Sequence, residues 1–531
     1  MVTMKSSIAV LMILCASVFS PLYAQESVDP NVGSMVHLRI TELMFNPAGV
    51  PEDELIDNDV FEFIELKNLG DDVLNITNVA FTAGVTFTFA GSSITSLAPG
   101  EFVLVVEDQQ AFELRYGQDV SGRIAGEYTG RLSNGGERIT LIDGVLGMIM
   151  DFSYGDGRGW PLGTDRAGHS LVPLPDALAQ ALPRVLNYAG NWRRSAHLNG
   201  SPGADDPFVQ TSVVINELTA NPGGNQTDSV ELYNRSEEPV SLKGWYLSDN
   251  LDDLSQWAIP PQTTLTGLSR KTFYLTGNSS LVSASFRLRA GGEQLALSYL
   301  PEGEPGGIRD AVQFKAQESG VSLGRYADGN DGWFALTPSR DSANTQPLDH
   351  LMISEIMYHP ADPNHEYIEI TNGTDQAVIL GSLQVIWRLD GAVEFVFPVD
   401  TVMQARERIV VVGFDPVAAP QMLASFRARY GLDDENIWIL GPWSGNLANS
   451  SERIGLEQAL DPVADDNLAW ILKDEVIYSD QYPWSLTADG QGDALHRIDL
   501  SAELSSMDPA NWETALPTPG TQASNRPGPI R

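Results

Sequence analysis

Glutamates recur in pairs along this 531-residue chain. Glu42 with Glu65, Glu217 with Glu231 and Glu355 with Glu369 lie on two alternating stretches each. The first stretch leads into a proline (Pro47, Pro222, Pro360), and the second closes on an asparagine (Asn68, Asn234, Asn372). If the two stretches are neighbouring strands, two carboxylates can share a face, as acid–base pairs and hard-cation sites require. Strict alternation with apolar neighbours gives a simpler expectation: each glutamate sits on the solvent side of a half-buried strand. We take the simpler reading.

The densest set of ligand-type side chains is His359, Asp362, His365 and Glu366, within His-Pro-Ala-Asp-Pro-Asn-His-Glu. These types suit zinc, but the two prolines impose an extended loop rather than a helical face. Asp328, Asn330 and Asp331, in Asp-Gly-Asn-Asp-Gly, resemble a calcium loop, and Asp489 to Asp493 does so more weakly. The distant bidentate glutamate of a full EF-hand loop is missing, and the same residues make ordinary tight turns. Trp160, Trp443 and Trp484 stand beside Gly or Pro and are the candidates for exposed stacking on a glycan. Trp245 is expected in the core, at the position of Val79 and Leu383. The sequence has no Gly-x-Ser-x-Gly elbow, P-loop or His-Glu-x-x-His helix. The catalytic set is therefore read as none.

Three copies of one script position these residues, at 36–206, 211–345 and 348–522. Each continues with short apolar runs and Gly/Pro turns. An acid-started strand follows (Asp151, Asp310, Glu475), then a Gly-x-small-Leu box (Gly168, Gly320, Gly492). A tryptophan (Trp192, Trp333, Trp512) leads into a closing turn near Pro202, Pro338 or Pro519. Copies one and three carry a helical insert, Gln109 to Tyr116 and Ala424 to Tyr430. Copy two does not, and copy one has a long extra segment before its closing turn. Many short strands between Gly/Pro turns predict an all-β fold of sandwiches. The brief Pro-containing joints predict a semi-rigid string.

Acidic residues outnumber basic ones 70 to 32, giving a net charge of −38. That balance, without a Lys/Arg cluster, argues against nucleic acid and anionic lipid faces as partners. It leaves calcium as the cofactor that best fits, with no other cofactor expected. Residues 1–24 read as a secretory signal, with Lys5 ahead of an apolar run that is too short to span a bilayer. Residues 25–35 read as a leader and 523–531 as a tail. Cys15 is the only cysteine and leaves with the signal, so the mature chain has no disulfide or thiol chemistry. Leu14 is too bulky for a lipoprotein signal at Cys15.

Strand-Glu followed by Asn-Pro, the Glu-apolar-x-Asn strand, Leu242-Lys243-Gly244-Trp245-Tyr246-Leu247 and Gly-Glu before a strand together resemble the lamin tail domain family. The resemblance covers nearly all of residues 36 to 522 and implies three tandem immunoglobulin-like β-sandwiches, with short helical inserts in the first and third. It also implies an exported, non-enzymatic binding or structural protein of the periplasm, cell surface or extracellular space, with protein or glycan ligands and no membrane span. Alternatives are a calcium-dependent adhesin, or an accessory region working with a secreted hydrolase or nuclease. The chain's end soon after the third copy is taken to leave no room for a catalytic domain.

Overall fold

The computed structural model describes residues 35–49, 56–278, 283–434, 436–461, 468–501 and 504–521. The signal, the tail and all but the last residue of the leader lie outside them. Each copy of the script folds as a two-sheet sandwich. In the first domain the larger sheet orders its strands Trp192–Arg194, Leu171–Pro173, Leu38–Met44, Phe63–Asn68, Phe102–Val106 and Ile124–Glu127. The opposing sheet orders Gly147–Gly155, Gly136–Asp143, Val79–Ala83 and Phe87–Thr88. The second and third domains repeat this plan, with six-stranded sheets built around Val213–Thr219 and Leu351–Met357. Each domain encloses its own apolar interior, as alternating strands facing each other across two sheets require.

The helices at Gln109–Tyr116 and Pro420–Tyr430 cover the outer face of the larger sheet. Phe112 and Tyr116 pack edge-on against Phe63, as Phe426 and Tyr430 do against Tyr367. Under them, the sheet's outward residues are apolar: Met44, Leu104 and Val106 in one domain, Met357, Val410 and Val412 in the other. The matching positions of the second domain are Thr219, Thr272 and Tyr274. A polar outer face needs no cover, and the described residues of that domain include no helix.

Asn68, Asn234 and Asn372 are fully buried. Each Nδ2 donates to two or more carbonyls across the next turn (for Asn234, Glu238 at 2.7 Å and Leu265 at 3.2 Å). Each Oδ1 accepts a backbone N–H two residues on. The recurrent asparagine thus ties the second strand to the loop that crosses between sheets.

The expected string of modules is not what forms. The long extra segment of the first domain turns inward and bonds to both others. Arg158 pairs with Glu475 of the third domain (2.5 Å) and donates to the Gln313 carbonyl of the second (3.2 Å). Tyr188 joins the third domain's core, meeting Trp484 edge-on, and Asn191 donates to the Tyr482 carbonyl at 2.6 Å. His169 is wholly buried between the first and second domains. Its Nδ1 donates to the Ser195 carbonyl (2.8 Å) and its Nε2 accepts the Ile308 N–H (3.0 Å). Burial pushes this imidazole down to about 3, so it is a neutral link. Between the second and third domains, Ala316 donates to the Trp470 carbonyl (3.1 Å), Lys473 meets Glu318 (3.0 Å), and Lys315 reaches the buried Glu457. Joint length alone said nothing about these side contacts.

Two outcomes follow. Solution scattering should give a radius of gyration of about 24 Å, the value for a compact body of this length; an end-to-end string would exceed it by roughly half. Arg158→Ala should lower unfolding free energy by about 1–3 kcal/mol in urea titrations, because Glu475 loses a charge-assisted bond while buried.

Candidate functional site

The paired glutamates are not solvent-facing. Glu42, Glu65, Glu217, Glu231, Glu355 and Glu369 are all at most 3% exposed. The difference lies in their cover: they stand on the outward face of the larger sheet, in line with Met44 and Leu104, and the closing turn of the domain lies over them. The register slips at Thr41, Asn216 and Ser354, directly before the first glutamate of each pair. One extra residue flips the remainder of the strand to the other face. The two glutamates then stand directly opposite each other on neighbouring strands.

Each pair grips the closing turn of its own domain. Ser201, Ser339 and Thr518 donate their N–H groups to Glu42, Glu217 and Glu355 (3.0, 3.0 and 2.7 Å). Two residues on, Gly203, Asp341 and Gly520 donate theirs to Glu65, Glu231 and Glu369 (2.5, 2.6 and 2.7 Å). The bulge residues Thr41, Asn216 and Ser354 donate to the second glutamate. Ser170 and Ser322 of the Gly-x-small-Leu boxes donate to the first. The third domain has Ala494 at that place, and the Tyr367 hydroxyl supplies the bond instead. Every carboxylate oxygen of these pairs meets a protein donor, so the pairs have a structural role.

A third acid, picked out from sequence only at Glu366, recurs at the entry of the second strand. Glu62, Asp228 and Glu366 accept the N–H groups of Leu132, Leu288 and Leu447 (2.9, 3.1 and 3.3 Å). The signal was present, since an acid stands at the strand entry in all three copies. Glu366 is thereby a loop anchor. Its proposed co-ligands go elsewhere: His359 to Asp489 (2.6 Å), Asp362 to the N–H of Asn364 (3.0 Å), and His365 to the Ser425 hydroxyl (3.0 Å).

The calcium-loop residues also diverge. Asp328 is ion-paired with Arg270 and accepts from Asn216 (2.8 Å) and the Asn344 N–H (3.1 Å). The Asn330 carbonyl takes a guanidinium N–H of Arg325 (2.6 Å), and the exposed Asp331 faces the same arginine at 3.7 Å. Arginines sit where a cation would. Among the described residues no group of three or more His, Cys, Asp or Glu is placed to hold a metal ion.

The tryptophan expectations divide. Trp245 is core, but its third-domain counterpart is Trp387, not Leu383, which is 89% exposed. Four extra residues between Leu380 and Trp387 hid the match. Trp443 and Trp484 are buried and Trp160 is half-buried, so none is an open stacking platform. The acid-started strands also shift by one residue: Asp310 corresponds to Met150 and Asp474, each of which accepts the N–H of the bulge-preceding isoleucine.

A cavity of about 580 Å³ opens where the three domains meet. Gly147–Gly155, Gly307–Lys315 and Ala469–Ser479 are the matching edge strands of the smaller sheets. The second and third of these line the cavity directly, and the first delivers the Arg158–Leu162 loop into it. Trp160, Trp333, Ile471 and Met507 supply apolar wall, and Arg194 stands among them. Burial alone would raise the Glu475 carboxyl at its rim, but Arg158 and Arg453 hold it below the usual range. An alignment of the copies does not reveal this site, because Arg158 and Arg194 differ between them.

The clasps predict a pH effect of unusual sign. Burial pushes Glu231 up to about 7, and Glu42, Glu65, Glu355 and Glu369 also upward; Glu62 and Glu366 rise to about 8 and about 7. The native state therefore holds protons that the unfolded chain has released above its own carboxyl range. Stability from these groups is full below the unfolded value and is lost as pH rises through the folded one. Thermal scans should show a melting temperature falling from about pH 5 to about pH 8 and levelling above it, and Glu231→Gln should make that fall shallower. Glu217→Ala, which removes an acceptor of the Ser339 N–H and hydroxyl and leaves the buried Ser322 hydroxyl only the Leu336 carbonyl, should cost about 1–3 kcal/mol in the same assay.

Among the described residues, no helix is long and apolar enough to cross a membrane. Comparison with curated proteins and with solved structures finds no match. A family model described as Lamin Tail Domain matches residues 33–156, 207–314 and 344–470. These segments cover more than half of the chain and fall one in each sandwich, so the protein belongs to the lamin tail domain family as three tandem copies.

Proposed function

We propose that this chain is an exported, non-enzymatic binding protein whose ligand seat is the three-domain junction. The observation that carries the reading is the cavity itself. Its volume, about 580 Å³, lies within the roughly 300–1,000 Å³ of small-molecule pockets, and it exists only because three sandwiches close on one another. Pockets of this kind form preferentially between domains. The carboxylates that the sequence offered for acid–base work are each committed to backbone donors. Export rests on the charged start and short apolar run of residues 1–24. Protein or glycan surfaces remain the partners for the outer faces.

The reading predicts no nuclease or esterase turnover by the purified mature chain; turnover that co-purifies with the folded protein would sink it. With Asp328 held by Arg270, millimolar calcium should not raise the melting temperature more than magnesium does. A calcium-specific rise of several degrees would restore the adhesin alternative.

A further inference from the structure

We infer that the junction cavity takes a small amphiphile: an apolar body carrying a single oxyanion, a carboxylate or sulfonate, seated on Arg194. The inference rests on the reading above that the cavity is a ligand seat, and it adds the chemistry.

The cations lining the cavity are not equivalent. Arg158 holds Glu475, Lys315 holds Glu457, Lys473 holds Glu318 and Arg497 holds Asp474. Arg194 differs. Its Nε donates to the Ile308 carbonyl at 3.3 Å, and among the described residues no hydrogen bond or ion pair is made by its two terminal nitrogens. The nearest charges are Asp310, already held by both its oxygens to Arg325 (3.0 Å each), and the further cations Arg309 and Arg325. The charges acting on Arg194 are thus two cations against one committed carboxylate, although the cavity lining as a whole carries Glu318, Asp331, Asp349, Asp474 and Glu475 beside its five Lys and Arg. A guanidinium presents its terminal N–H groups as a planar fork that fits a carboxylate or sulfonate. Arg194 is placed by Trp192–Arg194, the edge strand of the first domain's larger sheet, against the second domain. It is thus fixed by backbone at both sides of the junction.

The rest of the wall sets the body of the ligand. Trp160, Trp333, Ile471 and Met507 come from all three domains and form the apolar side of the wall, beside polar Gln317 and Asp349. An oxyanion without an apolar body would leave this wall wet, and an apolar molecule without a charge would leave Arg194 unpaired. Both halves are required for tight seating.

The test is isothermal titration of the full mature chain with decanoate, decanol and acetate, on wild type, Arg194→Met and Ala311→Trp. Arg194→Met keeps an apolar stem and removes the charge; Ala311→Trp fills the cavity from the second domain's edge strand. The expected result is one decanoate per chain, no measurable acetate binding, at least tenfold weaker decanoate binding to Arg194→Met, and none to Ala311→Trp. Melting curves matched to wild type establish that the variants are folded. Decanoate binding unchanged by Arg194→Met overturns the oxyanion inference. Decanol binding that equals decanoate and is lost in Ala311→Trp overturns it too, while leaving the cavity-seat reading intact. Absence of stoichiometric binding by every probe overturns both.

Discussion

Each sandwich is closed by one interaction: two buried glutamates, opposite each other on the first strand pair, accepting N–H groups two residues apart in the domain's final turn. A closing turn leaves backbone donors that must be satisfied if they are buried. A pair of carboxylates supplies four acceptor sites in one place, which explains why an apolar residue does not serve there. The exchange of Ser170 and Ser322 for Tyr367 opposite Ala494 keeps that requirement met. The hydroxyl changes residue, strand and side-chain length, yet it still reaches the first glutamate. The final turns share the constraint in backbone form, since Gly203, Asp341 and Gly520 all lie at positive φ.

What the sequence disclosed was the part governed by periodicity. Three copies, their first two strands, the helix over Gln109–Tyr116 and the core position of Trp245 all follow from alternation, spacing and repetition. What it concealed was governed by single-residue shifts. A bulge at Thr41, Asn216 and Ser354 reads as ordinary alternation, yet it turns the first glutamate of each pair from the core side to the outer face, opposite its partner. The four residues added before Trp387 directed the alignment to Leu383. The match between Asp310 and Asp474 rather than Glu475 turns on one position in a run of acids. The side chains of His359, Asp362, His365 and Glu366 are adjacent in the chain but answer to four different partners, so density in sequence misled.

The arrangement of the domains was concealed for another reason. Joint length limits how far two bodies can separate; it does not say whether they adhere. Adhesion here depends on the extra segment of the first domain, whose Arg158, Tyr188 and Asn191 each end on another domain. Its excess length over the other copies was visible and was the one available sign. The contacts mix part-buried ion pairs with hydrogen bonds to backbone groups and the packing of Tyr188, and the directional ones fix the geometry of the junction. That suits a junction that must hold a particular cavity shape within a strongly acidic chain.

The three copies also indicate where function can reside. Asp310 with Arg325 and Asp474 with Arg497 form the same ion pair in the second and third domains. In the first, Met150 and Pro173 occupy those two places together, so neither charge is left buried alone. Removing one partner would have been costly; removing both is tolerated. Residues common to all copies are thus explained first by closing a sandwich, even where one of them, Trp333, also reaches the cavity. Trp160 packs on Trp192 as Trp484 does on Trp512, whereas residues that break the repeat, Arg158 and Arg194 among them, have no such duty within their own domain. They converge on the junction because only there does a difference between copies acquire neighbours from the other two.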